Sequence, residues 1–230
     1  RNATLTPKLL RQLTADGLLV NLNTDALQSV RNLLRRHAVP AVWTNAKLRS
    51  DCVGPDDYGA GRQLTEALLS LGCRRVGYYD QSYNTPVRHY SRQDRRRGYE
   101  AAMRRAGLTP QSFVFPRGTI ATEQHAAVIE ACRGGDRLEA LIIYGGEQEA
   151  VLGTVFPAAG VRPGDDIKLG TFAQYGDRRL YGPAVELPEY ELGRSAVTML
   201  LRKIRNPSRR CKPVVLPFAL RPTTGEGAAR

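Results

Sequence analysis

Short apolar runs alternate with amphipathic stretches along nearly the whole chain. DGLLVNL (16–22) is a compact apolar run, and TDALQSVRNLLRRHA (24–38) sets Leu27, Val30, Leu33 and Leu34 on one helical face with Thr24 as its cap. AVPAVWTN (38–45) reads as the next strand, with Pro40 at its start where the missing N–H costs least. Residues 44–55 read as a loop. DDYGAGRQLTEALLSLG (56–72) is a helix with Leu64, Ala67, Leu68 and Leu71 in register, and Gly72 is its natural stop. The pattern then predicts a strand at 74–80, a polar stretch at 81–91, a helix at 91–107, a strand at 112–116 and a helix at 122–132. EALIIYG (139–145) has the unbroken apolar core of a buried parallel strand. A helix at 147–158, strands at 166–172 and 184–188, a helix to Ile204 and one last strand, VVLPFAL (214–220), complete the series.

Such regular alternation predicts an α/β fold of doubly wound parallel sheets with right-handed crossovers. Ligands of these sheets bind beyond the carboxyl ends of the strands, at topological switch points. Here that rule selects the loops 44–55, 81–94, 117–121, 144–148 and 173–182.

The 230 residues suit one large domain or two small ones, and 42% hydrophobic content is enough for a real core. No apolar run has the roughly 18–20 residues of a membrane span. The opening RNATLTPKLLRQ has neither a signal-peptide core nor a Met, so a piece of a longer protein is expected. Net charge is +12, yet it comes from 29 Arg and only 5 Lys scattered through nearly every segment. A coding bias explains such a surplus as well as a nucleic-acid face does, although the field favours anionic partners generally. Cys52, Cys73, Cys132 and Cys211 form no CxxC and no Cys/His pair at ligand spacing, so no metal site is expected. They read as reduced, mostly buried thiols of a cytosolic protein, with two disulfides of a secreted one as the alternative.

No catalytic constellation is present: HExxH, GxSxG and the GxxxxGK[ST] loop are all missing. Gly59-Ala60-Gly61 lies inside a helical pattern and reads as close helix packing. Asp56 and Asp57 read as N-terminal capping and dipole compensation. His37 ends a helix and His125 occupies an ordinary helix position, whereas His89 falls in a candidate site loop. Glu147 follows Gly145-Gly146 at the end of the most buried strand, either capping the next helix or facing a ligand. Arg95-Arg96-Arg97 point about 100° apart around a helix, so they cannot all serve one site.

The order of several segments resembles a known family. DGLLVNL, PAVWTN and DCVGPDDYGAGRQLTEALLSLGCRRVGYY, then Arg95, Gly98 and Tyr99 as R-x-x-G-Y, then GVRPGDDIKLGTF, LPEYELGRSAVTMLLRKI and LPFALRPTT, are similar to the sensor domain of lactose- and galactose-repressor type (LacI/GalR) transcription regulators. The similarity runs from about 16 to 224. It implies the type I periplasmic binding protein-like fold, with two subdomains joined by three crossings near 80–83, 181–187 and 206–213. The subdomains would be 1–80 plus 188–206 and 81–181 plus 212–224, followed by a tail at 225–230. By the same comparison, the DNA-reading helix-turn-helix and the first β-α-β stretch of the first subdomain are missing at the N-terminus. Homodimerisation is implied, because paired half-sites on operator DNA require a two-fold partner.

The ligand set implied is Arg95, Asn45, His89, Gly145, Glu147 and Gln174, with no cofactor and no metal. Three sugar contacts expected of the family are replaced, by Thr119 or Ile120, by Gly146-Glu147 and by Ala173, which argues against a sugar. An anionic or amide-bearing metabolite on Arg95 is expected instead. The reading is therefore the effector-sensing, dimerising part of a cytoplasmic regulator, not an enzyme and not membrane-bound. The alternatives are a periplasmic solute-binding protein of a transporter or, further off, an α/β enzyme.

Overall fold

The computed structural model describes residues 15–22, 27–81, 89–174 and 181–221. The Thr24 cap, residues 82–88, residues 175–180, the Glu147 side chain and the tail lie outside the described residues. The chain divides into two compact units, residues 1–55 with 189–216 and residues 56–188 with 217–230.

The first unit holds a four-stranded parallel sheet in the order β1 (Leu18–Val20), β2 (Ala41–Thr44), β3 (Cys52–Pro55), β9 (Val214–Leu216). Alternation along β2 separates its two faces. Ala41 and Trp43 pack in one cluster with Leu34 of helix α1 (Leu27–Arg36), while Val42 packs with Ala196 and Met199 of α6 (Glu189–Arg205). α1 ends in backbone caps from Val39 N–H to the Leu34 carbonyl (2.9 Å) and from Ala38 N–H to that of Arg35 (3.2 Å). Ala38 adopts φ 53°, the left-handed conformation that terminates many helices.

The second unit is a six-stranded sheet, β10 (Ala219–Arg221), β8 (Ala184–Glu186), β7 (Lys168–Ala173), β6 (Ala140–Ile143), β4 (Val76–Tyr79), β5 (Gln111–Phe113), parallel throughout except for the β10–β8 pair. Helices α2 (Asp57–Ser70) and α3 (Tyr90–Arg105) cover one face over Tyr78, Ile142, Phe172 and Val185. Helices α4 (Ala121–Ala131) and α5 (Gly146–Ala158) supply Val128, Leu152 and Phe156 to the other face, over Tyr79, Leu141, Ile143 and Leu169. Both faces are covered, as an apolar parallel strand requires.

Two glycines set the α2–α3 distance. A Cβ on Gly61 would lie 2.1 Å from the Arg95 carbonyl oxygen, and one on Gly98 would lie 2.1 Å from that of Tyr58. The two helix backbones touch there, which is the close packing expected of the Gly59–Gly61 segment.

The alternating fold follows the expectation, with three corrections. Cys52–Pro55 is a buried strand where a loop was expected; four residues containing a glycine and a proline carry no alternation to read. VVLPFAL is two strands in two sheets, broken at Pro217, whose ring removes a donor from the ladder. The chain changes units after Pro55, Pro188 and Leu216: the first change comes well before the expected 80–83, the second directly follows the expected 181–187, and the third lies three residues beyond 206–213. Residues 56–80 belong to the second unit because β4 is hydrogen-bonded between β5 and β6 and α2 packs on α3.

Candidate functional site

In the six-stranded sheet the chain runs from β4 outward to β5 and then returns to β6 on the other side of β4. The switch point lies between the carboxyl ends of β4 and β6, where ligands of open α/β sheets bind. Asp80 directly follows β4 and Tyr144 directly follows β6. Helix α3 starts above this crevice and delivers Ser91, Arg92 and Arg95 to it.

The R-x-x-G-Y spacing places three roles on one side of α3, since residues three and four apart share a helix face. Tyr99, fully buried, donates to the Val76 carbonyl (2.7 Å) and accepts from the Gln111 N–H (2.7 Å), tying α3 to β4 and β5. Gly98 admits α2. Arg95 turns toward the strand ends, donating from Nε to Asp57 Oδ1 (2.7 Å) and from Nη1 to the Tyr144 carbonyl (3.1 Å). Its guanidinium also lies 4.8 Å from the centre of the Tyr144 ring, 4.4 Å from that of Phe172 and 5.5 Å from that of Phe218. Cation–π contact and a carboxylate together hold it rigid.

Arg92 pairs with Asp80 and lies 4.3 Å from the centre of the same Tyr144 ring. The Tyr144 hydroxyl is 2.6 Å from Ser91 Oγ, which is in turn 2.6 Å from His89 Nδ1. That chain fixes the orientation of the ring. Asp57 Oδ2 and the Tyr78 hydroxyl in the cluster are fully buried without a hydrogen-bond partner among the described residues. Burial pushes the Asp57 carboxyl above its ordinary range although Arg95 opposes the shift. Burial likewise drives the Tyr78 phenol well up, so it stays a neutral donor. An acceptor and a donor therefore stand ready for a small polar molecule or for water.

The anionic ligand expected as one possibility on Arg95 would call for uncompensated guanidinium charge. Each of the two guanidiniums instead faces a carboxylate, because Arg95 (13% exposed) and Arg92 (18%) are too buried to stay uncompensated. Arg97 is an exposed surface charge and Arg96 pairs with Glu100 (3.0 Å), so of the triplet only Arg95 reaches the cluster.

The other anticipated residues are placed as follows. His89 caps α3, accepting from the Ser91 N–H (3.3 Å), and joins the cluster through Ser91. Gly145 is the N-terminal cap of α5, one residue after Tyr144. Gln174 is exposed at the end of β7, one strand from β6. Asn45 belongs to the first unit, where it follows β2 in a left-handed conformation (φ 54°) with its N–H bonded to the Val53 carbonyl (3.0 Å). Asp56 caps α2 by accepting from the Gly59 N–H (2.9 Å), as its position foretold. Asp57 does more than compensate the helix dipole, since it is the counter-ion of Arg95. Tyr144, Ser91, Arg92 and Asp80 were passed over, although Ser91, Arg92 and Tyr144 lay in loops that the switch-point rule had already selected. Among the described residues no His, Cys, Asp or Glu group could hold a metal ion, and no helix is long and apolar enough to cross a membrane.

Residues 65–225 match the family described as periplasmic binding protein-like domain. The chain belongs to that family. Among curated proteins it is similar to the HTH-type transcriptional regulator GntR of Escherichia coli strain K12, with 25% identity over 216 residues. That match covers 90% of this chain and 62% of GntR, so the chain spans less than two thirds of that relative's length. A LacI family transcriptional regulator from Enterococcus faecium with bound ribose superposes with a TM-score of 0.73 at 18% identity, covering 96% of this chain and 82% of that one. A LacI family regulator from Mycobacterium smegmatis gives 0.71 at 23% identity, with 96% and 83% covered. The transcriptional regulator CelR–cellobiose complex gives 0.71 at 19%, with 95% and 68% covered. The expected likeness to LacI-type sensor domains holds, and with it the periplasmic binding protein-like fold.

Proposed function

We propose that this chain is the effector-sensing and dimerising part of a cytoplasmic LacI/GalR-type transcription regulator. Effector bound at the Arg95 cluster would favour one arrangement of the regulator over another and so alter operator binding by a helix-turn-helix segment outside these 230 residues. Such control works only through a difference in effector affinity between the two states. The matched relatives are transcription regulators, which favours this reading over a transporter's solute-binding protein, and no step of it is catalytic.

The observation that carries the proposal is the Arg95–Asp57 pair, held against the Tyr144 ring at the β4/β6 switch point. Because the guanidinium charges are already balanced, the case for an anion lapses. Paired donors and acceptors around an aromatic ring suit a neutral hydroxyl- or amide-bearing metabolite. The ribose and cellobiose in the two relatives are of that kind. Arg95, His89, Gly145, Glu147 and Gln174 of the second unit remain the proposed ligand residues, now joined by Tyr144 and Asp57; Asn45, in the first unit, remains a separate candidate.

The test is a mobility shift with the full-length protein and the DNA upstream of its own gene, with and without ribose, cellobiose and simple amides. Operator binding that one of these neutral compounds changes supports the reading. Specific DNA binding that neither sugars nor amides alter, but anions do, would contradict it.

A further inference from the structure

The first unit contains a cavity of about 510 Å³, in the size range of small-molecule sites. It lies at the N-terminal ends of the parallel strands. Ala41 opens β2, Asp51 precedes β3, and residues 207–210 precede β9. This is the opposite end of a strand from the one used by the Arg95 cluster in its own unit.

One wall comes from α1. Gln28, Arg31, Asn32 and Arg35 follow the i, i+3, i+4, i+7 spacing and line the cavity together. Their amides and guanidiniums form a ladder: Gln28 Nε2 to Asn32 Oδ1 (3.1 Å), Arg31 Nη1 to Gln28 Oε1 (3.3 Å), Arg35 Nη2 to Asn32 Oδ1 (3.3 Å). These neutral acceptors orient Arg31 and Arg35 without cancelling their charge.

Another wall is the 207–210 loop, pinned by one buried ion pair. Lys203, 8% exposed, donates to Asp51 Oδ1 (2.9 Å) and to the Arg209 carbonyl (3.0 Å). Asp51 also accepts from the Cys211 N–H (2.9 Å) and from Ser50 Oγ (3.0 Å). Asp51 is itself held at φ 58°, a conformation that a non-glycine residue keeps only when its surroundings over-determine it. The anchored loop places the exposed Arg209 and Arg210 on the cavity, and the one lining carboxylate among the described residues is already engaged by Lys203.

We propose that this cavity is a second ligand site, for a small, multiply charged oxyanion carrying phosphate or carboxylate groups. Four guanidiniums on two separate elements, none paired with a carboxylate among the described residues of the cavity wall, offer the forked donors that such groups accept bidentately. Enclosure by two walls selects a small molecule over the smooth backbone of a duplex. The site is independent of the effector reading and stands or falls without it.

The chain reports on this site by itself, because its one tryptophan, Trp43, lines the cavity. Pyrophosphate and citrate, titrated separately against the 230-residue chain at low salt, should change Trp43 emission saturably at submillimolar concentration, less so as salt rises. Tighter binding of pyrophosphate assigns a phosphate ligand, and tighter binding of citrate assigns a polycarboxylate. Arg31→Gln with Arg209→Gln, both outside the buried pair, should weaken binding by about tenfold or more, the scale of a lost charge-assisted contact. Arg97→Gln, on the other unit, should leave it unchanged. The proposal is overturned by the absence of any saturable change up to about 10 mM, by binding that ignores the Arg31/Arg209 change, or by a duplex oligonucleotide that binds and is not displaced by either anion.

Discussion

Two arginine-rich regions of this molecule solve the same electrostatic problem in opposite ways. In the second unit Arg92 and Arg95 are largely withdrawn from water, and each has a carboxylate in contact. In the first unit Arg31 and Arg35 lean on neutral amides, and Arg209 and Arg210 stay exposed on an anchored loop. Burial decides which arrangement is affordable. A guanidinium shielded from solvent without a counter-ion costs several kcal/mol, whereas one at the surface is solvated and free to wait for a ligand. Composition alone, with its scattered arginine, could not separate the two cases.

The largest effect should come from breaking the buried pair. Arg95→Ala leaves Asp57 buried and unpaired, and should lower stability by about 3 kcal/mol in urea unfolding. Arg95→Met with Asp57→Leu, which removes both charges, should recover most of that loss. If the single change proves silent, the Arg95–Asp57 pair is not the constraint described here. Gly61→Ala comes next: it drives a methyl into the Arg95 backbone, and should cost about 2 kcal/mol by forcing α2 and α3 apart.

Acid separates the two regions by sign. Burial alone would raise the Asp51 carboxyl, but the Cys211 N–H, Lys203 and Ser50 together hold it below its ordinary value. The stability it contributes is present above the usual carboxylate range and is lost as pH falls through its folded pKa. Asp57 is shifted upward, so the folded state binds its proton more tightly than the unfolded one and acid partly offsets that loss. Asp51→Asn should therefore flatten the fall of Tm between about pH 5 and 3, and Asp57→Asn should steepen it. The same slope in both variants would show that the two carboxylates are not differently placed.

Smaller effects mark the surface. Gly193 sits within α6 with nothing within 4 Å of an added Cβ, so Gly193→Ala should stabilise the chain by about 0.5–1 kcal/mol. Arg31→Gln should change stability by less than about 0.5 kcal/mol, because the charge it removes is solvated.

What the sequence revealed depended on how local each feature is. α3 was legible because its periodicity and its R-x-x-G-Y spacing lie within one helix. Gly61 was legible as a packing glycine because a glycine within an apolar helical register has few other uses. β3 escaped notice, since four buried residues with a glycine and a proline have no period. The break in VVLPFAL escaped notice because only the sheets reveal that Val214–Leu216 and Ala219–Arg221 pair with different partners. The site was half legible. Arg95 could be named from its motif, but Tyr144 and Asp57 meet it only through the adjacency of β4 and β6 and the approach of α2 to α3. Those contacts join residues 38 and 49 positions apart, so the balance of charge, and hence the class of ligand, could not be read along the chain.

The most direct test is a calorimetric titration of ribose, cellobiose and a set of neutral polyols and amides into the chain and into Tyr144→Ala. A neutral compound should bind the unaltered chain, lose about tenfold or more in affinity in Tyr144→Ala, and bind the Arg31→Gln/Arg209→Gln variant as it binds the original. Equal affinity for the original and Tyr144→Ala, or binding of polyanions alone, would contradict a neutral effector at the Arg95 cluster.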